Sequence, residues 1–285
     1  MPDIIVPPKL LETCNSSADR RAWLAALPDA AAKLASRWSL TIGQPYASAS
    51  CSWVAACTLR DGGAAVIKLG MPHMEARDEA DALRVWDGDG AVRLLAADAR
   101  QHAMLLERCE PGDPLRDAPE PEQDVIIAGL LRRLWRIPTR PHPFRPLPEM
   151  TAAWGAEALE DSDAWTDPDL TRAGLSLLNE LAGDAPQEAL LATDLHAGNV
   201  LRATREPWLA IDPKPFFGDT AYDATQHLFN CGDRLRADPE DTIRRFADLL
   251  EVDHGRVRLW LFARAVVHSC CDAHPPDSLA RLLAP

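Results

Sequence analysis

Apolar and polar positions change period once along the chain. Residues 17–38 begin with a helical pattern in which Trp23, Leu24 and Leu27 share a face; Pro28 is expected to interrupt it before the pattern resumes over 30–38. Residues 40–44 and 51–59 then read as strands, and Asp61-Gly62-Gly63 turns the chain into a third strand at 64–69. A helix is expected at 72–86, and two more strands at 91–97 and 102–107 complete a five-stranded antiparallel sheet. From residue 119 the period is helical. Ile127, Leu130, Leu131 and Leu134 recur on one face of 123–137, with Arg132, Arg133 and Arg136 turned outward. After a proline-rich stretch at 138–148, further helices are expected at 149–159, 169–181, 222–230, 241–250 and 255–271. The pattern predicts an α+β protein of two unequal lobes. Residues 1–107 form a sheet with a helical appendage, 108–112 a hinge ending in Pro111-Gly112, and 113–285 a larger, mostly helical lobe.

Composition narrows the class. No apolar run approaches the roughly 20 residues of a bilayer span, and the first residues lack the basic and apolar regions of a secretory leader, so a soluble cytoplasmic protein is expected. Seven cysteines at 14, 51, 57, 109, 231, 270 and 271 show no repeated C-x-x-C spacing. They are expected as free thiols, with no transition metal, because adjacent Cys270 and Cys271 on a helix point apart even with His268 and His274 nearby. A net charge of −13 argues against a nucleic-acid surface and suits a cationic small-molecule partner. No membrane association and no obligate protein partner are expected.

The chemistry concentrates between residues 191 and 213. Asp194 precedes Asn199 by five positions, Gly198 lies between them as the expected site of a tight bend, and Asp212 closes a second apolar run. One carboxylate to take a hydroxyl proton, then an amide and a carboxylate to hold Mg²⁺ against phosphates, is what phosphoryl transfer requires. Lys68, on the third strand after Ala65, Val66 and Ile67, matches a lysine that reaches nucleotide phosphates. Glu75 and Glu79, one helical turn apart, are both within reach as its partner.

The segments D-L-H-A-G-N-V-L, E-P-W-L-A-I-D-P-K-P and G-D-T-A-Y-D-A-T-Q closely resemble the aminoglycoside phosphotransferases, in particular the streptomycin 6-kinase and hydroxyurea kinase branch. W-D-G-D-G-A-V-R-L-L-A at 86–96 and L-L-E-R-C-E-P-G at 105–112 support the resemblance. It implies a bilobal protein-kinase-like fold that binds ATP and Mg²⁺ between its lobes. By that likeness Asp194 is the catalytic base, Asn199 and Asp212 hold the metal, Glu79 pairs with Lys68, and the carbonyl of Glu107 and N–H of Cys109 meet adenine. His196 contacts the γ-phosphate or braces the loop. Ser50, with Ser48 and Ser52, stands where the phosphate loop belongs. Lys214 offsets either the transferring phosphoryl group or the local carboxylates. Asp219 and Asp223, and with less support Asp272, are candidates for the cationic groups of the acceptor. The chain departs from the usual H-G-D-L-H-P-G-N at Ala192, Thr193 and Ala197, and residues 45–53 contain no glycine; these departures bear on catalytic efficiency. The expected activity is ATP-dependent phosphorylation of an aminoglycoside hydroxyl, most directly that of streptomycin. Hydroxyurea, another small alcohol, or a catalytically weak nucleotide-binding role are the alternatives.

Overall fold

The computed structural model describes residues 4–272, 274–275 and 278–285, and the chain divides into two compact units, 1–112 and 113–285.

The first unit opens with α1 (Pro8–Cys14) and α2 (Ala18–Trp38), the latter capped where Ser17 Oγ accepts from the Arg20 N–H. Contrary to expectation, α2 runs unbroken through Pro28. An interior proline costs about 3 kcal/mol, and the helix persists because Leu27, Ala31 and Leu34 on one face are buried in the core with Trp53, Ile67 and Leu69. Strands β1 (Thr41–Pro45), β2 (Ser52–Thr58), β3 (Ala64–Gly70), β4 (Leu94–Asp98) and β5 (Ala103–Glu107) form one sheet in the order β1-β2-β3-β5-β4, every pairing antiparallel. On central β3, Ala65, Ile67 and Leu69 join the core shared with α1 and α2. Strand alternation therefore sends Lys68 to the opposite face. The helix expected at 72–86 is shorter. Pro72 cannot donate an N–H, the exit from β3 stays extended through His73, and a 3₁₀ turn at Met74–Ala76 precedes α3 (Glu79–Trp86).

In the second unit α4 (Glu120–Leu134), α5 (Leu147–Glu160) and α6 (Pro168–Gly183) precede four short strands, β6 (Glu188–Leu191), β7 (Val200–Arg202), β8 (Trp208–Ala210) and β9 (Phe216–Asp219). Helices α7 (Thr220–Asn230), α8 (Gly232–Ala237), α9 (Pro239–Leu250), α10 (His254–His268) and α11 (Leu279–Leu283) follow. Strands β6 and β9 pair, as do β7 and β8, and the loops between them carry Asp194, Asn199 and Asp212. Helices α4, α5, α6 and α9 start one to three residues before their apolar pattern suggests, each with a proline in its first turn. There the missing N–H costs nothing and the fixed φ favours the helix. Helix α7 is buried over most of its length. Among the described residues, no helix is long and apolar enough to cross a membrane.

Candidate active site

In the first unit, Lys68 lies opposite Val54 of β2 and Met104 of β5. Its Nζ donates to both carboxylate oxygens of Glu79, each at 2.6 Å, with side chains 7% and 1% exposed. Glu79 opens α3, whereas Glu75 lies in the preceding 3₁₀ turn. A buried ammonium and carboxylate are each costly to desolvate, and mutual pairing offsets that cost while fixing the lysine's direction. Glu107 ends β5, its N–H donating to the Arg93 carbonyl at 2.9 Å. Cys109 is buried two residues on, before the left-handed Gly112. Ser50 is half-buried in the turn between β1 and β2, its hydroxyl 3.8 Å from Cys51 Sγ.

In the second unit, two loops lock together. Thr193 and Asp212 both have left-handed backbones, φ 50° and 53°, a conformation disfavoured for β-branched threonine. Hydrogen bonds hold it. Asp223 on α7 accepts from the Thr193 N–H at 2.6 Å, the Ala192 N–H at 3.0 Å and Trp135 Nε1 at 2.9 Å. The Thr193 hydroxyl donates to the Lys214 carbonyl, and the Lys214 N–H donates to the Ala192 carbonyl at 2.9 Å. The loop bearing Asp194 is thereby tied to the one bearing Asp212. Asn199 Nδ2 donates to the Asp194 carbonyl at 3.0 Å, which orients the amide and leaves its oxygen to meet a ligand. The Asn199 carbonyl accepts from the Ile211 N–H at 2.9 Å. Asn199 and Asp212 thus present hard oxygen donors of the kind Mg²⁺ takes.

His196 is held neutral. Burial, then the positive charge of Arg116, lower its pKa to about 4, and its Nδ1 accepts from the Gly198 N–H at 3.0 Å, which places the proton on Nε2. Gly198 answers a different need from the expected one. Its φ is not left-handed; a Cβ there would instead lie 2.2 Å from Arg116 Nη2 and 2.7 Å from His196 Cε1. The glycine makes room for two side chains rather than for a bend.

Three expectations require correction or narrowing. Asp219 is 1% exposed and caps α7, accepting from the Ala221 N–H at 3.1 Å, Arg256 Nε at 2.5 Å and Trp260 Nε1 at 2.6 Å. Its carboxylate is committed inside the protein and does not face a substrate. Asp223, also 1% exposed, is the loop brace described above, not a substrate ligand; burial pushes its pKa up to about 6 against the pull of its N–H donors. Lys214 Nζ pairs with Asp212 Oδ1 at 2.9 Å, so it balances a local carboxylate. Sequence reasoning also missed Asp124, His227 and Cys231, a buried trio with the ligand types of a metal site. Arg234 donates to both oxygens of Asp124, at 2.6 and 2.8 Å, and so supplies the cation there. Although burial opposes it, the pairing with Arg234 and His227 holds the Asp124 pKa at about 2. The acid and the base lie 110 positions apart, too far for sequence spacing to reveal the pair.

A lysine on the third strand of a small antiparallel sheet, paired with a helix glutamate, and an Asp-Asn-Asp loop set in a helical unit are the two halves of the protein-kinase-like fold. Solved structures agree. Choline kinase LicA from Streptococcus pneumoniae matches with a TM-score of 0.62 and 14% identity, over 87% of this chain and 93% of that one. A choline/ethanolamine kinase family protein from Mesorhizobium loti matches with a TM-score of 0.60 and 15% identity, over 86% and 84%. At such identities the likeness concerns fold alone; the protein is nonetheless defined as a small-molecule kinase by its closer relatives in sequence. It belongs to the aminoglycoside/hydroxyurea antibiotic resistance kinase family, whose profile matches residues 37–273. Streptomycin 6-kinase of Streptomyces griseus is 37% identical over 281 residues, 94% of this chain and 91% of the relative. Hydroxyurea phosphotransferase of Kitasatospora aureofaciens is 36% identical over 277 residues, 93% and 79%.

Proposed function

We propose that this protein transfers the γ-phosphoryl group of ATP to a hydroxyl of streptomycin, inactivating the antibiotic in the cytoplasm. The observation that carries this reading is the locked pair of loops presenting Asp194, Asn199 and Asp212. In the reaction the bond from Pγ to the ADP oxygen breaks, a bond from Pγ to the acceptor oxygen forms, and Asp194 takes the hydroxyl proton. The proton leaves late in a loose transition state, so Asp194 acts chiefly by orienting the hydroxyl. Mg²⁺, when bound, neutralises phosphate charge, and Asn199 and Asp212 hold it. Lys68, fixed by Glu79, engages the α and β phosphates, and the Glu107 carbonyl and Cys109 N–H receive adenine. Ser50 approaches the phosphates from the β1–β2 turn. His196, neutral with its proton on Nε2, donates toward the γ-phosphate.

Streptomycin is favoured because two streptomycin 6-kinases, those of Streptomyces griseus and Streptomyces glaucescens, are each 37% identical over most of the chain. The net charge of −13 also suits a dication. The same transfer to hydroxyurea is the second reading, supported by the relative of that name. Purified protein with Mg-ATP should release ADP in response to streptomycin, more efficiently than to hydroxyurea or other aminoglycosides, and Asp194→Asn should abolish the response. Hydroxyurea-dependent turnover with none from streptomycin would transfer the assignment to the second reading.

A further inference from the structure

Arg116 lies on the one-turn helix Leu115–Asp117 near the start of the second unit, and its side chain reaches the Asp194 loop. A Cβ at residue 198 would sit 2.2 Å from its Nη2, a separation real atoms do not keep, so the guanidinium rests where only glycine leaves space. Because Gly198 has no left-handed φ, backbone conformation does not demand glycine there. Among the described residues the Arg116 guanidinium makes no hydrogen bond and no ion pair. Arg116 is exposed, and its guanidinium lies beside His196 and the backbone of Gly198, the residue before Asn199, with its N–H donors uncommitted. Neutral His196 does not duplicate its charge. A planar fork of donors beside an Asp-Asn loop matches a tetrahedral oxyanion.

We propose that Arg116 binds the terminal phosphate of the nucleotide and stabilises the phosphoryl group during transfer. The inference rests on the kinase reading above. Arg116 forms and breaks no covalent bond: Pγ passes from the ADP oxygen to the acceptor oxygen, the acceptor proton goes to Asp194, and Arg116 donates N–H to the non-bridging oxygens as their charge redistributes.

The test uses the full chain as wild type, Arg116→Gln, Arg116→Lys, Gly198→Ala and the double variant Gly198→Ala/Arg116→Gln. Equilibrium binding of Mg-ATP, Mg-ADP and AMP is measured beside kcat and KM for the acceptor. Loss of one charge-assisted contact should lower kcat by about 10- to 100-fold in Arg116→Gln and weaken Mg-ATP more than AMP, with acceptor KM unchanged. Arg116→Lys should restore part of the loss. Gly198→Ala should reproduce the defect by displacing the guanidinium, and the double variant should be no worse than Arg116→Gln alone. Equal weakening of AMP and Mg-ATP, an unchanged kcat, or a rise confined to acceptor KM would each overturn the proposal while leaving the kinase reading in place. Wild type that binds none of the three nucleotides would remove both.

Discussion

Several charged side chains of this protein are buried against partners of opposite charge. Removing one member of the Lys68–Glu79 pair strands the other in a site at most 7% exposed, a cost of about 3–5 kcal/mol. Lys68→Met and Glu79→Gln should therefore each lower the midpoint of chemical denaturation. The double change Lys68→Met/Glu79→Leu should recover most of the stability without recovering Mg-ATP binding. Asp223 makes a different prediction. Its pKa of about 6 in the folded protein stands above its ordinary 3.8, so the fold binds this proton more tightly than the unfolded chain does. Its contribution is then complete below pH 3.8 and is lost as pH rises through 6, a swing of roughly 3 kcal/mol. Asp223→Asn should flatten that part of the stability profile and, by weakening the brace on Thr193, lower kcat. Asp194, Asn199 and Asp212 stood out as candidates in the sequence because their spacing is local and their residue types are chemically specific, and Lys68 because of its place on the third strand. The internal commitments of Asp219 and Asp223 were not legible there. A motif places a carboxylate near a loop, but only packing decides whether it faces a ligand or a neighbouring backbone.

At the scale of elements, the second unit is set by close helix crossings and one buried staple. Gly174 on α6 would carry its Cβ 2.7 Å from both Cβ and Cγ1 of Val266 on α10. Gly174→Ala should therefore destabilise by about 1–3 kcal/mol despite alanine's better helix propensity, and Val266→Ala in the same chain should relieve part of the loss. The Asp124 staple joins α4 to α7 and α8 through His227 and Arg234. With its folded pKa at about 2 against 3.8 ordinarily, Asp124 stabilises the fold above pH 3.8 and loses that contribution as pH falls through 2. Asp124→Asn should lower stability at neutral pH and weaken its dependence on pH between about 4 and 2. Periodicity revealed the long helices. Their early starts were written in prolines that the apolar pattern ignores, and strands of three or four residues, β6 to β9, are too short to establish a period. Helix α2 passed through Pro28 because tertiary burial outweighed a local penalty, a balance that sequence alone does not express.

For the whole molecule, net charge bears on the cationic acceptor proposed above. A net charge of −13 concentrates cations near the protein, an effect screened over about 8 Å at physiological ionic strength. The KM for streptomycin should therefore rise with added salt, while turnover of neutral hydroxyurea should respond little; equal salt responses would remove charge as the basis of selection. The class of chemistry was visible in the order of a few motifs, whereas the acceptor was not, because two relatives of nearly equal identity carry different substrates in their names. The most direct measurement is transfer of labelled γ-phosphate from ATP to streptomycin, with wild type and Asp194→Asn compared under identical conditions. A labelled, singly phosphorylated streptomycin is expected from wild type and none from the variant. Label that stays in ATP or appears only as free phosphate with wild type would contradict the proposed transfer.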